Sequence, residues 1–504
     1  MAQGQRGNTV RAIDWRETFP FTEVFRSFRI ATQPGKLLAA LLLVIGMCIV
    51  GWVLDGWVGS QRVLPGEFEM YCQTRSAEAF RDRRAEARSE GMTTLAWTLT
   101  RHTDMSYGEA GELVATEPDP WSKAVREVRA RVEDPARRAG VVGEIDALRP
   151  RGVFATALEI KVDSFGKLLG SAWAAVSELD WQELGLGQLD PRTPLERDTA
   201  LGAVRAVAIA LPGWLWSTQP WFFIVWTLVF VLVWSLLGGA IARMSVVEAA
   251  TGDRVGMSEG LGFAFRRWLS FVLVPLLPLV FFGLIALLAM LGGLLFHIPL
   301  LDIIAALLWI VAVLAGVVIA VGVIAWAGAV NLMFPALAAE ATDVFDAISR
   351  SYSYVVTRPW KFLFYTAVAL IYGTITYAFV GLVIYLTIYL AREATAAWSA
   401  PFARMLPMPE FGDLRHGVPD ADLGGTDRVA GVVIRVWFLL VVGLIAAYAI
   451  SFYFAAQSLV YLLLRRDCDG TDLSQVHLDS DARAGLAAPA PVEPARNPDP
   501  ADEQ

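Results

Sequence analysis

Residues 331–362, NLMFPALAAEATDVFDAISRSYSYVVTRPWKF, decide the fold class. One strongly apolar run ends at Asn331 and another begins at Phe362. Between them the spacing predicts a short amphipathic helix. Phe345, Ile348, Tyr352 and Val355 or Val356 share one face; Asp343, Asp346, Arg350, Ser353 and Thr357 share the other. Pro359 then ends the helix and redirects the chain. A surface helix strung between two apolar runs points to a polytopic helical membrane protein.

The rest of the chain agrees. It has 504 residues, of which 55% are hydrophobic and 18% charged, and its mean hydropathy is +0.48. A soluble domain carries about 25% charged residues. Here the deficit is concentrated in apolar windows, and about 20 helical residues suffice to cross a hydrocarbon core. Six spans are predicted, over 37–58, 221–242, 269–295, 303–330, 362–390 and 429–464. The lipid bilayer is thus the first partner. A net charge of −8 argues against nucleic acid as another. Cys48, Cys72 and Cys468 fall in a span, an external region and the cytoplasm, so no disulfide framework is expected.

Residues 1–36 are basic and precede the first span without the form of a cleaved signal peptide. There Thr22 is a candidate N-cap, followed by a face of Phe21, Val24, Phe25 and Phe28. That helix either lies in the headgroup plane or packs on the protein's own spans. Asp55, between Trp52 and Trp57, reads as an interfacial charge at the outer end of the first span.

Residues 59–205 read as an inserted extracytoplasmic helical domain that could serve as a structural cap or bind a protein partner. Its stripes are Trp121, Val125, Val128, Val132 and, longer, Phe154, Leu158, Val162, Phe165, Leu169, Ala172, Val176, Leu179. The charged 74–88 stretch reads as a solvated helix face. Pro275 and Pro278 predict a kink in the third span, and Ala312, Gly316 and Ala320 allow close helix approach in the fourth. Residues 391–431 form an external loop, and the tail 465–504 is cytoplasmic and disordered from about Asp481. Lys and Arg near the span ends place both termini in the cytoplasm.

A three-fold repeat of a surface helix followed by two spans organises these elements. Thr357-Arg358-Pro359-Trp360-Lys361 parallels Thr32-Gln33-Pro34-Gly35-Lys36. Acidic, Thr-containing stretches follow the even-numbered spans at Glu248-Ala249-Ala250-Thr251, Glu340-Ala341-Thr342 and Asp469-Gly470-Thr471-Asp472. Repeat interfaces often hold a site near mid-membrane.

The central stretch also resembles a pattern in bacterial multi-span proteins, including the membrane domain found with some glycerophosphodiester phosphodiesterases. The matching residues are the Pro335-Ala336-Leu337 turn, Glu340, Ala347-Ile348-Ser349-Arg350-Ser351-Tyr352 and Pro359-Trp360. The resemblance implies a multi-pass protein of a bacterial inner membrane. It carries no active site across, because the phosphodiesterase catalytic domain has no counterpart here.

Metalloprotease, serine-hydrolase, P-loop and C-x-x-C motifs are all missing, and no cofactor motif is found. His102, His297, His416 and His477 are scattered, and the D-x-D triplets at Asp467-Cys468-Asp469 and Asp420-Ala421-Asp422 are short. Three classes of function stay open. The first is a non-enzymatic membrane protein that organises partners or lipid. The second is a transporter, with a polar cavity along Asn331, Tyr372, Thr376 and Tyr377. The third is a membrane enzyme on lipid-linked substrates, which would need Glu248, Glu340, Asp467 and Asp469 to converge at one interface.

Overall fold

The computed structural model describes residues 19–57, 62–74, 76–178, 180–190, 193–406 and 425–478. The expectations for 1–18, for Leu179, for the proline-rich part of the 391–431 loop and for the tail from Asp481 lie outside these residues. So do His416 and the Asp420-Ala421-Asp422 triplet.

The chain is all-α. The principal helices are α1 (Pro34–Trp57), α2 (Glu67–Gln73), α3 (Ala77–His102), α4 (Val153–Ser177), α5 (Ala200–Thr218), α6 (Pro220–Thr251), α7 (Met257–Arg266), α8 (Trp268–Gly293), α9 (Leu301–Glu340), α10 (Val344–Thr357), α11 (Pro359–Ala396) and α12 (Gly425–Asp469). Extended chain pairs at one antiparallel bridge, between Val63 and Arg151.

Seven helices among the described residues are long and apolar enough to cross a membrane, against six predicted. The additional one is α5. Its mean hydropathy of 1.3 is well below the 2.1 to 3.0 of the others, and Arg205 shortens its uncharged run. Helices α9, α11 and α12 overrun their predicted spans. The predicted Pro335-Ala336-Leu337 turn is instead the buried last part of α9. Proline inside a membrane helix is tolerated where neighbours accommodate the freed carbonyl.

The helices divide into two compact units. One comprises Gly239–Tyr365 with the described parts of Met1–Ile30 and Phe454–Gln504; the other comprises Ala31–Gly238 and Thr366–Tyr453.

The first unit is built on three helix ends rich in small residues. Ala240, Ala242 and Ser245 on α6, Ala329 and Ala338 on α9, and Ala455 and Ser458 on α12 are wholly buried. Without a hydrophobic force between helices in lipid, small side chains bring backbones close enough for dispersion to hold them. All three helices end alike. Gly252, Ala341 and Gly470 adopt positive φ of 82°, 53° and 68°. Each donates its amide to the carbonyl four residues back, Glu248, Leu337 and Arg466, at 2.9, 3.0 and 3.0 Å. This left-handed cap favours glycine, and alanine there carries a penalty of about 1–2 kcal/mol. Ala341→Gly is therefore expected to raise stability by about 1 kcal/mol, read as a higher thermal midpoint in detergent. A lower midpoint would show that the Ala341 methyl group packs usefully.

A short helix precedes α1, α8 and α11 in each case, separated by Thr32–Gln33, Arg267 and Arg358 respectively. At the first of these Thr22 is not the N-cap. Pro20 starts the turn earlier, and the Thr22 hydroxyl donates to the Phe19 carbonyl at 2.8 Å. The buried side there is Glu23, Val24, Ser27 and Ile30, not the predicted aromatic face. On α10 the buried side is narrow. Ala347, Ser351 and Tyr354 are buried, while Phe345 is 70% exposed.

The second unit holds the inserted domain. The Trp121, Val128 and Val132 stripe is buried with Leu95, Leu99 and Ile145 in one core. A second core joins Leu54 of α1, Phe68, Phe80, Phe154, Trp214 and Phe222. On α4 the buried face is Val153, Phe154, Ala157, Ile160 and Ser164. The predicted stripe faces outward at Leu158, Val162 and Phe165, where the Phe165 ring meets Tyr377 of α11 at 5.5 Å. An apolar stripe beside membrane helices need not be the side that packs into the domain core.

Candidate functional site

Three of the acids nominated in the first unit, Glu340, Asp467 and Asp469, are held by cations and tyrosines. Glu340, the last residue of α9, pairs with Arg350 of α10 at 2.7 Å and with Arg465 of α12 at 3.6 Å. It also accepts a hydrogen bond from the Tyr461 hydroxyl at 2.7 Å. The Tyr461 ring lies 5.7 Å from that of Tyr354, whose hydroxyl donates to Asp469. Asp467 accepts from Lys361 at 2.9 Å and Tyr365 at 3.1 Å. The D-x-D triplet thus points its two carboxylates at different partners.

Electrostatics tighten these contacts. Burial, then the Asp469 carboxylate, pushes the Tyr354 hydroxyl well above its ordinary pKa. The hydrogen bond that Arg350 donates to Asp346, with the charge of Glu340, holds the Arg350 guanidinium above its own. Cations also gather at the C-terminus of α9, where unpaired carbonyls and the helix dipole favour them. Arg243 donates to the Ala338 carbonyl at 2.7 Å and Arg267 to the Thr342 carbonyl at 3.1 Å. The chain beyond α12 returns to the same place. The His477 amide donates to the Ala339 carbonyl at 2.8 Å, and Arg465 donates to the carbonyls of Asp472 and Gln475.

Glu340 and Asp469 are thus joined through Tyr461 and Tyr354, while Asp467 is held by its own partners, Lys361 and Tyr365. Glu248 lies in the same unit and is 1% exposed. No three His, Cys, Asp or Glu side chains group as a metal site requires, among the described residues.

The four residues proposed to line a polar cavity divide between the units. Asn331, in the first, donates to the Ala327 and Gly328 carbonyls of its own helix at 3.1 and 3.4 Å. In the second unit, Thr376 donates to the Tyr372 carbonyl at 2.9 Å. The Tyr372 ring meets Phe452 and the Tyr377 ring meets Phe165.

Two further features belong to the geometry alone. In the first unit α8, α9 and α10 bound an apolar groove of about 820 Å³. Pro278 and Phe281, Val318 and Val321, and Phe345 and Ile348 line it from the three helices. The outward apolar face of α10 is therefore one wall of the groove. In the second unit Asp55 of α1 caps α4. Its carboxylate accepts from the Phe154 amide at 2.8 Å and the Ala155 amide at 3.3 Å. The sequence gives Asp55 an interfacial position but hides this partner, because the two elements lie 99 residues apart. Arg465 was legible only as an orientation marker, although an arginine joined directly to an apolar run is itself a signal of a buried cation.

Comparison of the chain with protein-family models, curated proteins and solved structures finds no match.

Proposed function

We propose that this integral membrane protein is a non-enzymatic, lipid-holding organiser. The apolar groove between α8, α9 and α10 carries the reading. Its walls come from helices with mean hydropathy of 2.8 and 3.0 and from the apolar face of α10. The occupant such a groove selects is the acyl chain of a membrane lipid, because hydrocarbon surrounds helices of this kind. Its volume lies in the range of small-molecule sites, about 300–1,000 Å³. The charged network beside it supports a fixed scaffold, since its acids are held by partners rather than presented to a substrate.

In this reading α1, α6, α8, α9, α11 and α12 cross a bacterial inner membrane, and both termini are cytoplasmic. Helix α5 stays with the external domain, since its Leu211, Trp214 and Leu215 belong to that domain's core and only Gln219 separates it from α6. We read the three helix-and-two-span segments as copies of one unit, supported by their matching left-handed caps.

The test is native mass spectrometry with lipidomics on the full chain, purified in mild detergent. Wild type is expected to retain lipid, and Val318→Trp, which fills the groove, to lose most of it. A wild type without lipid, or a tryptophan variant that keeps the same lipid load, would overturn the reading. A co-purifying protein subunit in place of lipid would shift the role to partner assembly.

A further inference from the structure

We propose that a cavity in the second unit, between α2, the start of α3 and α5, binds a phosphate-type anion. The cavity has a volume of about 440 Å³. It is separate from the groove of α8, α9 and α10 and does not depend on it.

The charge of its lining is one-sided. Arg81, Arg84 and Arg205 reach it, and no carboxylate lines it among the described residues. Arg84 pairs at 3.2 Å with the buried Glu67, which is not part of the lining. Arg205 is held in place by the Thr193 carbonyl at 3.0 Å and Gln188 at 3.2 Å. Arg81 is exposed on the first turns of α3. The neighbouring acids Glu78 and Asp82 are on the same helix but outside the lining. Glu69, on α2, pairs with Arg197 at 2.6 Å.

Three further features fit an anion. Ser76 and Ala77 line the cavity, so it opens onto the N-terminus of a 26-residue helix, where backbone amides and the dipole favour negative charge. Tyr71 also lines it, and a tyrosine hydroxyl can donate. Burial, with help from Glu69, raises the Cys72 thiol to about 11, so Cys72 stays neutral and adds no repulsion. Guanidinium forks match the oxygen geometry of phosphate better than an ammonium does.

The rest of the lining is partly apolar, with Phe80, Leu195 and Ile209. Ser217 and Thr218 of α5 also line it and follow the exposed Trp216 in sequence, a residue type favoured at membrane interfaces. Phosphate chemistry can reach this site as a free phosphate or as the headgroup of an anionic lipid.

The full chain would be given two probes. One is inorganic phosphate, titrated against the detergent-purified protein at constant ionic strength, with chloride as control. The other is a set of bilayer nanodiscs of phosphatidylglycerol, with phosphatidylcholine discs as control, scored by retained lipid. Saturable phosphate binding with no lipid preference identifies the free anion. Selective retention of phosphatidylglycerol identifies the headgroup. In either arm Arg81→Glu is expected to weaken binding at least tenfold and Arg81→Lys to restore most of it. Arg81 is exposed, so both variants should fold, which an unchanged thermal midpoint would show. Val318→Trp should leave this binding intact, which separates its failure from failure of the lipid groove. The absence of saturable binding in both arms, or wild-type binding by Arg81→Glu, would overturn the proposal.

Discussion

Arg465→Ala is expected to destabilise the protein by about 3–5 kcal/mol, the scale for breaking one side of a buried ion pair. Its side chain is 4% exposed and that of Glu340 is 13% exposed. Removing the guanidinium leaves Glu340 with Arg350 and Tyr461, and it also releases the carbonyls of Asp472 and Gln475 that bring the chain back onto α9. Much of the penalty comes from the carboxylate left behind, not from attraction lost. The double variant Glu340→Leu with Arg465→Met should therefore be more stable than either single charge deletion. Arg350 is 39% exposed, so water can solvate it once Glu340 is gone. The readout is the thermal midpoint in detergent, with hydrogen exchange over 470–478 as a local report. A loss below about 1 kcal/mol, the scale of an exposed pair, would mean that the network does not hold the scaffold together.

How much of this was legible varies with the physical signal. The membrane class was plain, because each long span is an uncharged window that no soluble helix needs. Helix α5 was missed because Arg205 breaks its window and its apolarity is weak. Helix α10 was legible with its two faces, but which of them turns inward was not. A helical wheel shows that Phe345 and Ile348 oppose Asp346 and Arg350, but it does not say which medium each face meets. In hydrocarbon the apolar face can point outward, while Ala347 and Ser351 allow close approach inward. Of the site, Glu340 was legible as an acid at the end of a span. Its partners were not, because Arg465 and Tyr461 arrive from another helix, and long-range pairing leaves no local periodicity. The arginine-lined cavity was illegible for the same reason. Arg81 and Arg84 looked like part of a solvated face until α5 supplied other residues of the lining.

The second large effect is expected where α1 meets α4. A Cβ built at Gly51 would lie 2.2 Å from the Phe154 ring, so Gly51→Leu cannot be accommodated without moving that ring. Phe154 is 6% exposed, and its core also contains Leu54, Phe68 and Trp214. Displacing it should cost about 1–3 kcal/mol through overpacking. The shift would also pull the Phe154 and Ala155 amides away from Asp55, removing a cap whose loss alone costs about 0.5–2 kcal/mol. Gly152 is part of the same fit, since a Cβ there would lie 2.1 Å from the Asp55 carboxylate. Asp55→Ala should therefore loosen the first turn of α4 with little change elsewhere, whereas Gly51→Leu should loosen α4 along much of its length. Hydrogen exchange over 153–164 separates the two outcomes. The core around Leu95, Trp121 and Ile145 contains neither Phe154 nor Leu54, so its protection should hold in both variants. If Gly51→Leu leaves exchange in α4 unchanged, the glycine contact is not what seats the domain on α1. If protection at Leu95 and Ile145 falls as well, the two cores unfold together as one cooperative body anchored through Phe154.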